Sequence, residues 1–339
     1  MAAAGTRCYH SGNGRGAAMT PTIGVVMDPI EHIKPWKDTT LAMLLECQRR
    51  GWPLRYMNPR DLFLRDGRVQ AFTRELEVID RNQDWFRAGE PAAQDLAELD
   101  IVLMRQDPPF DSTYLYTTYL LEKLERQGVM VVNRPGSVRD ANEKLFATDF
   151  PDCAPPTVVS SDSRVLREFV AEHGDTVMKP LDGMGGSKVF HVQHGNLNTT
   201  VIIDVLTDNG LTPIMAQRYI PEITTGDKRI LMIDGEPVPA VLARVPLAGE
   251  FRGNLAAGGS GEGRELSDRD REICARVGPV LRHKGIWFAG LDVIGDWLTE
   301  INVTSPTCVR ELDGIFGLNI AGQLFDRLLE IRQQGQDRQ

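Results

Sequence analysis

The sequence predicts an α/β protein with more than one domain. Its 339 residues are more than a single hydrophobic core usually serves. Apolar segments of strand length alternate with amphipathic segments of helix length over residues 22–132, which is typical of a parallel sheet covered by helices. Strand pairs joined by tight turns follow after residue 175, so we expect an antiparallel, α+β arrangement in that part.

The N-terminal third contains the clearest alternation of strand and helix. A strand is predicted at TIGVVMD (22–28), and a helix with a glycine stop at TTLAMLLECQRRG (39–51). LDIVLMRQD (99–107), a helix at 113–128 and MVVN (130–133) continue the pattern. This predicts a Rossmann-like parallel sheet without the GxGxxG of dinucleotide sites. Because such sheets bind ligands at the carboxyl ends of their strands, Arg105 and Asp107 are candidate substrate contacts. The alternative is that both side chains are simply exposed to solvent.

Charge and cysteine content argue against several classes of protein. The formal net charge is -9, which disfavours binding to nucleic acid through phosphate neutralisation. No apolar run approaches the length of a membrane span. The five cysteines show no CxxC and no paired spacing. We therefore expect neither a zinc site nor a disulfide framework, and a location in the reducing cytoplasm.

The N-terminal segment differs from the rest of the chain. Residues 1–20 are rich in Gly and Ala and lack a secretory signal, and we expect a disordered tail.

Two lysines stand in segments that suggest anion binding. SVRDANEKLFATDF (137–150) predicts a helix with Asp140 as N-cap and Glu143 completing a capping box. Lys144 would then lie in the first turn, where an anionic ligand would relieve its conflict with the helix dipole. TVMKPLDGMGGSKVFHV (176–192) predicts two strands around a glycine-rich flap over phosphates, with Lys179 beneath it. For Lys144 the alternative is a side chain that simply reaches into water. For residues 176–192 it is an ordinary glycine-rich hairpin turn.

The segment GDKRILMIDGEPVPAVLARVP (226–246) predicts a hairpin around a two-residue Asp-Gly turn. That register puts Asp227, Arg229 and Arg244 on one face. Two arginines on one face would repel each other, and a bound multivalent anion would reconcile them. Separate surface arginines are the simpler alternative. Residues 247–265 follow as a long glycine-rich loop, which we expect to be a lid with Arg252 and Asn254 as its working side chains.

The segment LDVIGDWLTEINV (291–303) predicts a second hairpin, with a polar and an apolar face. Strand side chains alternate, so Glu300 and Asn302 point the same way. A two-residue turn would mix the faces, whereas a three-residue loop ending at Trp297 sets Asp292 opposite Glu300. We therefore predict two carboxylates and an amide oxygen on one face, a donor set that suits Mg2+ beside phosphates. A solvated edge hairpin is the alternative.

Read in order, several segments closely resemble the prokaryotic-type glutathione synthetases, members of the ATP-grasp family. They are VMDPI, AMLLE, DPPFD, NEKLF, KPLDGMGG, DGEPVP, RGNLAAGG and LTEINVTSPTC. The resemblance implies an ATP-grasp fold with ATP held between its second and third domains. With it, the predicted divisions are the tail at 1–20, a Rossmann-like substrate domain at 21–141, a central lid subdomain at 142–219 and a catalytic subdomain at 220–339.

The resemblance also implies a reaction, its metal and its residues. The reaction joins γ-glutamylcysteine to glycine with ATP, through an acyl phosphate, and uses Mg2+ with Mn2+ as an alternative. A cytoplasmic homotetramer is implied as well. The implied residues are Lys144, Lys179, Gly183, Gly185 and Gly186 for the phosphates; Gln217, Tyr219, Ile220 and Asp227 for adenine and ribose; Arg229, Arg244, Arg252 and Asn254 for the transferring phosphate and acyl group; Ser305 and Thr307 for glycine; and Asp292, Glu300 and Asn302 for the metal.

Two other functions stay open at this point. One is a different ATP-grasp carboxylate–amine ligase, since spacing does not identify a substrate. The other is a non-catalytic ATP-binding regulator, against which the retained carboxylates and arginines argue. No Ser-His-Asp arrangement is found, and none is needed, because a substrate carboxylate is itself a nucleophile toward ATP.

Overall fold

Three β-sheets that follow one another along the chain form the framework of the protein. The computed structural model describes residues 20–247, 253 and 260–336. Within these residues the first sheet has eight strands, the second four and the third five. Each of the three sheets is built from one continuous part of the chain, so the strands of the three sheets do not interleave.

The first sheet combines a parallel half with an antiparallel half. Its strands β1 to β8 are Ile23–Met27, Leu54–Met57, Leu62–Arg65, Arg68–Val78, Phe86–Ala88, Ala92–Asp95, Ile101–Arg105 and Met130–Val132. β2, β1, β7 and β8 lie side by side and parallel, as the alternation predicted. Helix α1 (Thr39–Arg49) follows β1, and helix α2 (Ser112–Glu125) follows β7. The antiparallel strands β3 to β6, which were not predicted from the sequence, extend the edge of the sheet through β4.

The helix predicted across residues 137–150 is wrong. Helix α3 (Pro135–Asp140) ends where that helix was expected to begin, and only a 3-10 turn follows at Phe146–Asp149. The side-chain oxygen of Asn142 accepts hydrogen bonds from the backbone of Lys144 (3.1 Å) and Leu145 (3.0 Å). Such a local side-chain turn competes with helix formation. Lys144 therefore lies in a turn, and the helix-dipole argument does not apply to it.

The second and third sheets are antiparallel. The second has β9 (Thr157–Ser160), β10 (Thr176–Pro180), β11 (Phe190–Val192) and β12 (Ile214–Arg218), with helices α4 (Ser163–His173) and α5 (Thr199–Leu206). The third has β13 (Asp227–Ile233), β14 (Glu236–Val245), β15 (Ser260–Glu265), β16 (Phe288–Ile294) and β17 (Trp297–Asn302), with helices α6 (Asp268–Lys284), α7 (Val309–Phe316) and α8 (Ile320–Gln336). The predicted hairpins around the glycine-rich flap and around the Asp-Gly turn are confirmed.

Part of the predicted lid is a strand. β15 pairs with β14 over residues 260–265, where a loop was expected. Backbone groups make a ladder without help from side chains, and glycine here also lets α7 approach. A Cβ at Gly263 would stand 2.6 Å from Phe316 and 2.7 Å from Ile315. Arg252 and Asn254 lie outside the described residues, and Gly253 is the one described position between 248 and 259.

The hairpin β16–β17 reaches its predicted pairing by a different route. Its turn has two residues, because Ile294 pairs with Trp297, and the three-residue loop is therefore wrong. A bulge at Thr299 then shifts the register, so that Asp292 pairs with Glu300 as predicted. A bulge adds one residue to one strand, which here restores the separation of polar and apolar faces that a two-residue turn alone would destroy.

The first and third sheets share a hydrophobic core. Ile23 and Leu103 of the first sheet belong to the same buried cluster as Leu231 and Phe325 of the third part. Buried Asn133 joins the two parts by polar contacts as well. Its side-chain amide donates to the carbonyls of Phe288 (2.7 Å) and Val303 (2.8 Å) and accepts from the Phe288 amide (2.9 Å). The two parts are thus fixed against each other. Within the described ranges, no helix combines the length and apolar composition needed to cross a bilayer.

We expect Asn133→Ala to lower the free energy of unfolding by about 3 kcal/mol, because it leaves buried backbone groups without partners. The exposed Asn198, whose side chain makes no capping bond, provides the control. Asn198→Ala should change stability by less than about 0.5 kcal/mol. Urea denaturation of both variants measures the difference. Equal stability of the two variants would contradict the role given to Asn133.

Candidate active site

A cleft of about 1030 Å3 lies where the three sheets meet. The first sheet contributes Asp107, the second contributes Lys179 and Gln217, and the third contributes Arg229 and Glu300. Most of the site residues predicted from the sequence line this cleft. They are Asp107, Lys144, Lys179, Gly183, Gly185, Gly186, Gln217, Tyr219, Ile220, Asp227, Arg229, Arg244, Asp292, Glu300, Asn302, Ser305 and Thr307.

The floor of the cleft on the third sheet is a buried group of ion pairs centred on Asp292. Arg229 donates to both of its carboxylate oxygens, at 2.5 and 3.1 Å. Arg244 approaches the same carboxylate at 2.9 Å and also donates to Asp227. The strand register causes this, since Arg229 lies opposite Asp292 and Asp227 lies opposite Arg244. The predicted shared face is confirmed, and carboxylates already offset the repulsion between the two arginines.

The pKa values of the two carboxylates in this group are shifted in opposite directions. Burial opposes ionisation of Asp292, but the charges of Arg229 and Arg244 outweigh it and hold its pKa below the ordinary value. Burial, reinforced by the negative charge of Asp292, raises the pKa of Asp227 to about 7, against the opposing effect of Arg244. Asp227 was expected near the ribose. The structure places it beside Arg244, with one carboxylate oxygen, Oδ1, buried and without a hydrogen-bond partner among the described residues.

The two lysines pair with the second predicted metal ligand. The Nζ atom of Lys179 lies 3.1 Å from Oε1 of Glu300, and that of Lys144 lies 3.7 Å from the same oxygen. Lys144 also donates to Glu143 and to the carbonyl of Gly183 at 2.6 Å. Burial opposes ionisation of Glu300, yet the lysine charges leave its pKa lowered. The residues expected to bind phosphates and the carboxylate expected to bind metal are therefore paired with each other.

The predicted metal ligands fit an ion that is shared with a phosphorylated ligand. Asp292 and Glu300 are directly opposite, and Asn302 follows on the same face. The amide nitrogen of Asn302 donates to the carbonyl of Gly290 (3.3 Å), which leaves its oxygen as the atom that could bind a metal. In the part of the chain that the structure describes, there is no cluster of three or more His, Cys, Asp or Glu side chains that could hold a metal ion by itself. Mg2+ typically takes one or two carboxylates together with phosphate oxygens, and this donor set matches that pattern.

The end of β12 and the residues after it form the part of the cleft expected to hold adenine. Gln217, Tyr219 and Ile220 line it, as predicted. Gln217 donates to the hydroxyl of Thr157 at 3.1 Å, and the ring of Tyr219 stacks on His191 with centroids 4.1 Å apart. These contacts fix the side chains of Gln217 and Tyr219. The glycines of the flap lie at the same cleft, with Gly185 and Gly186 at positive φ.

The opposite end of the cleft joins the first sheet to the loop after β17. Burial raises the pKa of Asp107, and Ser305 beside it opposes the rise, while the backbone amide of Asp107 donates to Asp28 at 2.8 Å. Arg105 does not line the cleft. It is buried behind the loop, where it donates to the carbonyl of Pro306 and to the hydroxyl of Thr40, each at 3.0 Å. Its contacts hold the loop that carries Ser305 in place.

Several lining residues were missed from the sequence. Asp28 directly follows β1 and Asp107 lies two residues after β7, so the rule that indicated Asp107 also indicates Asp28. Glu143 was interpreted only as part of a capping box. Lys37 and Arg60 lie in the connections after β1 and β2 and also line the cleft. A lysine or an arginine in an irregular connection carries no signal of its own in a single sequence.

Comparison with known proteins places the chain in a family. The N-terminal domain of prokaryotic glutathione synthetase matches residues 22–139, and the ATP-grasp domain of prokaryotic glutathione synthetase matches residues 143–317. The chain belongs to the prokaryotic glutathione synthetase family. The glutathione synthetase of Pseudomonas aeruginosa is 57% identical over 91% of this chain and 98% of its own length. That of Coxiella burnetii is 54% identical, over 90% and 95% respectively.

Solved structures show the same fold at much lower identity. D-cycloserine synthetase DcsG aligns with a TM-score of 0.65 and 15% identity, over 92% of this chain and 99% of its own. The ATP-grasp ligase PsnB, solved with a precursor peptide and AMPPNP, aligns with a TM-score of 0.59 and 18% identity, over 93% and 99%. These similarities confirm the predicted ATP-grasp fold.

We expect Asp292→Asn to lower the free energy of unfolding by about 3 kcal/mol near neutral pH, because it leaves two buried arginines short of a counter-charge. Asp296→Asn, in the exposed turn of the same hairpin, is the matched control and should change stability by less than about 0.5 kcal/mol.

The loss of stability caused by Asp292→Asn should become smaller as the pH falls. The pKa of Asp292 is lower in the folded than in the unfolded chain, so its ionised form stabilises the fold above the unfolded value of about 4. That contribution is lost as the pH falls toward the folded value. Urea denaturation between about pH 3 and pH 7 measures it. A difference that grew on acidification would contradict the ion-pair account.

Proposed function

We propose that this chain ligates γ-glutamylcysteine and glycine with ATP and forms glutathione, ADP and phosphate. The observation that carries the substrate assignment is the sequence similarity. Glutathione synthetases at 53–57% identity align over about nine-tenths of this chain, through both domains of the family. The fold alone does not identify the substrates, since ATP-grasp structures at 15–18% identity include a D-cycloserine synthetase.

The cleft provides groups for nucleotide binding at its second-sheet side. The backbone around Gln217, Tyr219 and Ile220 would meet the adenine edge. The glycine-rich flap would cover the phosphates, whose charge Lys144 and Lys179 would neutralise. A divalent cation held by Asp292, Glu300 and Asn302 would add charge neutralisation at the transferring phosphate. In this arrangement the γ-phosphate would lie beside the arginines of the third sheet.

In the first step, the carboxylate of the cysteinyl residue of γ-glutamylcysteine attacks the γ-phosphate in line, and ADP leaves. Phosphoryl transfer depends on positioning and charge neutralisation, which Arg229 and Arg244 are placed to give. Both are held by Asp292, so their positions are fixed before the substrate arrives. We assign Arg252 and Asn254 of the lid to the same transferring phosphate and acyl group.

In the second step, the amine of glycine displaces phosphate from the acyl phosphate and forms the peptide bond. We place glycine beside Ser305 and Thr307, on the loop that Arg105 holds through the Pro306 carbonyl. We propose that Asp107, which lies beside Ser305 at this end of the cleft, contacts γ-glutamylcysteine. Water must be excluded during this step because an acyl phosphate hydrolyses.

We further propose Mg2+ as the metal, with Mn2+ as an alternative, a cytoplasmic location and a homotetramer. Oxygen donors support the choice of metal. Four cysteines, at positions 47, 153, 274 and 308, are free and buried, as suits a reducing compartment. The domain boundaries at 21–141, 142–219 and 220–339 stay a prediction. Each of the three sheets falls within one of these ranges.

We expect oxygen-18 in the carboxylate of the cysteinyl residue of γ-glutamylcysteine to appear in released phosphate once glycine is added, because the carboxylate oxygen becomes the bridging atom. Alanine should react more slowly than glycine by at least about tenfold, since its methyl group must fit beside Ser305 and Thr307. Mass spectrometry of the phosphate and a phosphate-release assay with an amine panel give both results. Unlabelled phosphate would refute the acyl phosphate. Equal rates with alanine would instead favour a different carboxylate–amine ligase.

A further inference from the structure

We infer that Lys144 and Lys179 hold the carboxylate of Glu300 back from a metal ion until nucleotide phosphates draw the two lysines away. The inference rests on the proposed function and gives the lysines a role in the enzyme before ATP arrives. Metal binding would then follow from nucleotide binding and would not precede it.

The contacts of Glu300 support this role. Its Oε1 atom lies 3.1 Å from the Lys179 Nζ and 3.7 Å from the Lys144 Nζ. Both lysine side chains are less than one-tenth exposed. A buried ammonium group does not give up its counter-charge for water at low cost. Phosphate oxygens can replace the carboxylate as partners, because they too are anionic acceptors.

The second carboxylate of the donor set is occupied in the same way. Both oxygens of Asp292 accept from Arg229, and Arg244 lies 2.9 Å from one of them. A cation that approached the hairpin would therefore meet two carboxylates that are each already paired with two positive groups. Of the three predicted ligands, the amide oxygen of Asn302 is the one that is not part of an ion pair.

The overall charge at the cleft floor also disfavours the binding of a metal ion without nucleotide. Four cationic and four acidic side chains are clustered at the cleft floor: Lys144, Lys179, Arg229 and Arg244 with Glu143, Asp227, Asp292 and Glu300. With all eight ionised, the group is neutral, so a free divalent cation gains little attraction from it. A metal–nucleotide complex brings its own negative charge, which the lysines can then neutralise.

Mn2+ binding, followed by electron paramagnetic resonance without and with AMPPNP, tests the inference in the full-length protein. The wild type should bind Mn2+ at least about tenfold more tightly with AMPPNP. Lys179→Met removes one cation from Glu300, and should tighten nucleotide-free Mn2+ binding by about tenfold while reducing the gain from AMPPNP. Lys179→Arg, which keeps the charge, should show no such tightening.

Lys123→Met is the matched control, because Lys123 is exposed on α2 and the same charge is removed away from the cleft. It should bind Mn2+ as the wild type does. Lys144→Met repeats the test at the second lysine if Lys179→Met does not fold by circular dichroism. Tightening of nucleotide-free binding by either lysine variant supports the inference.

Nucleotide-free Mn2+ binding that stays at the wild-type level in the folded methionine variants would overturn the inference and leave the proposed ligase standing. So would wild-type protein that binds Mn2+ equally well with and without AMPPNP. A wrong substrate assignment would be seen differently. In that case no glutathione forms, although the Mn2+ titrations behave as expected.

Discussion

The pairing of buried cations with buried carboxylates stabilises the cleft floor, where the three sheets meet. An unpaired charge in this position would be costly. Asp292 therefore holds two arginines, and Glu300 holds two lysines. These six side chains, together with Asn302, are groups that we propose to bind phosphates and a metal. The protein thus keeps a stable fold without its ligands while it retains the charges that we propose bind them.

The strand registers and the connections bring these charges together from separate parts of the chain. The ladder between β13 and β16 sets Arg229 against Asp292, and the bulge at Thr299 sets Asp292 against Glu300. The turn at Asn142 directs Lys144 toward the same carboxylate, while β10 supplies Lys179. A shift of one residue in either ladder would move these side chains to the opposite face.

Much of this fold follows from sequence, but the reasons differ from one element to the next. Hairpin periodicity and the need for one apolar face predicted the pairing of Asp292 with Glu300. They did not predict the bulge, because a longer turn gives the same faces. The capping-box pattern at Asp140 and Glu143 led to a helix that does not form, since Asn142 offers the backbone a local alternative. The contacts of Asn133 and Arg105 join distant segments, and a single sequence carries no signal for such pairs.

Bound nucleotide should exchange the partners of these charges. A crystal structure of the protein with Mg2+ and AMPPNP tests this exchange most directly. We expect the Nζ of Lys179, now 3.1 Å from Glu300, to contact a phosphate oxygen, with Asp292, Glu300 and Asn302 bound to the metal. A complex in which Lys179 still pairs with Glu300 at its present distance, with nucleotide and metal in the cleft, would contradict the account.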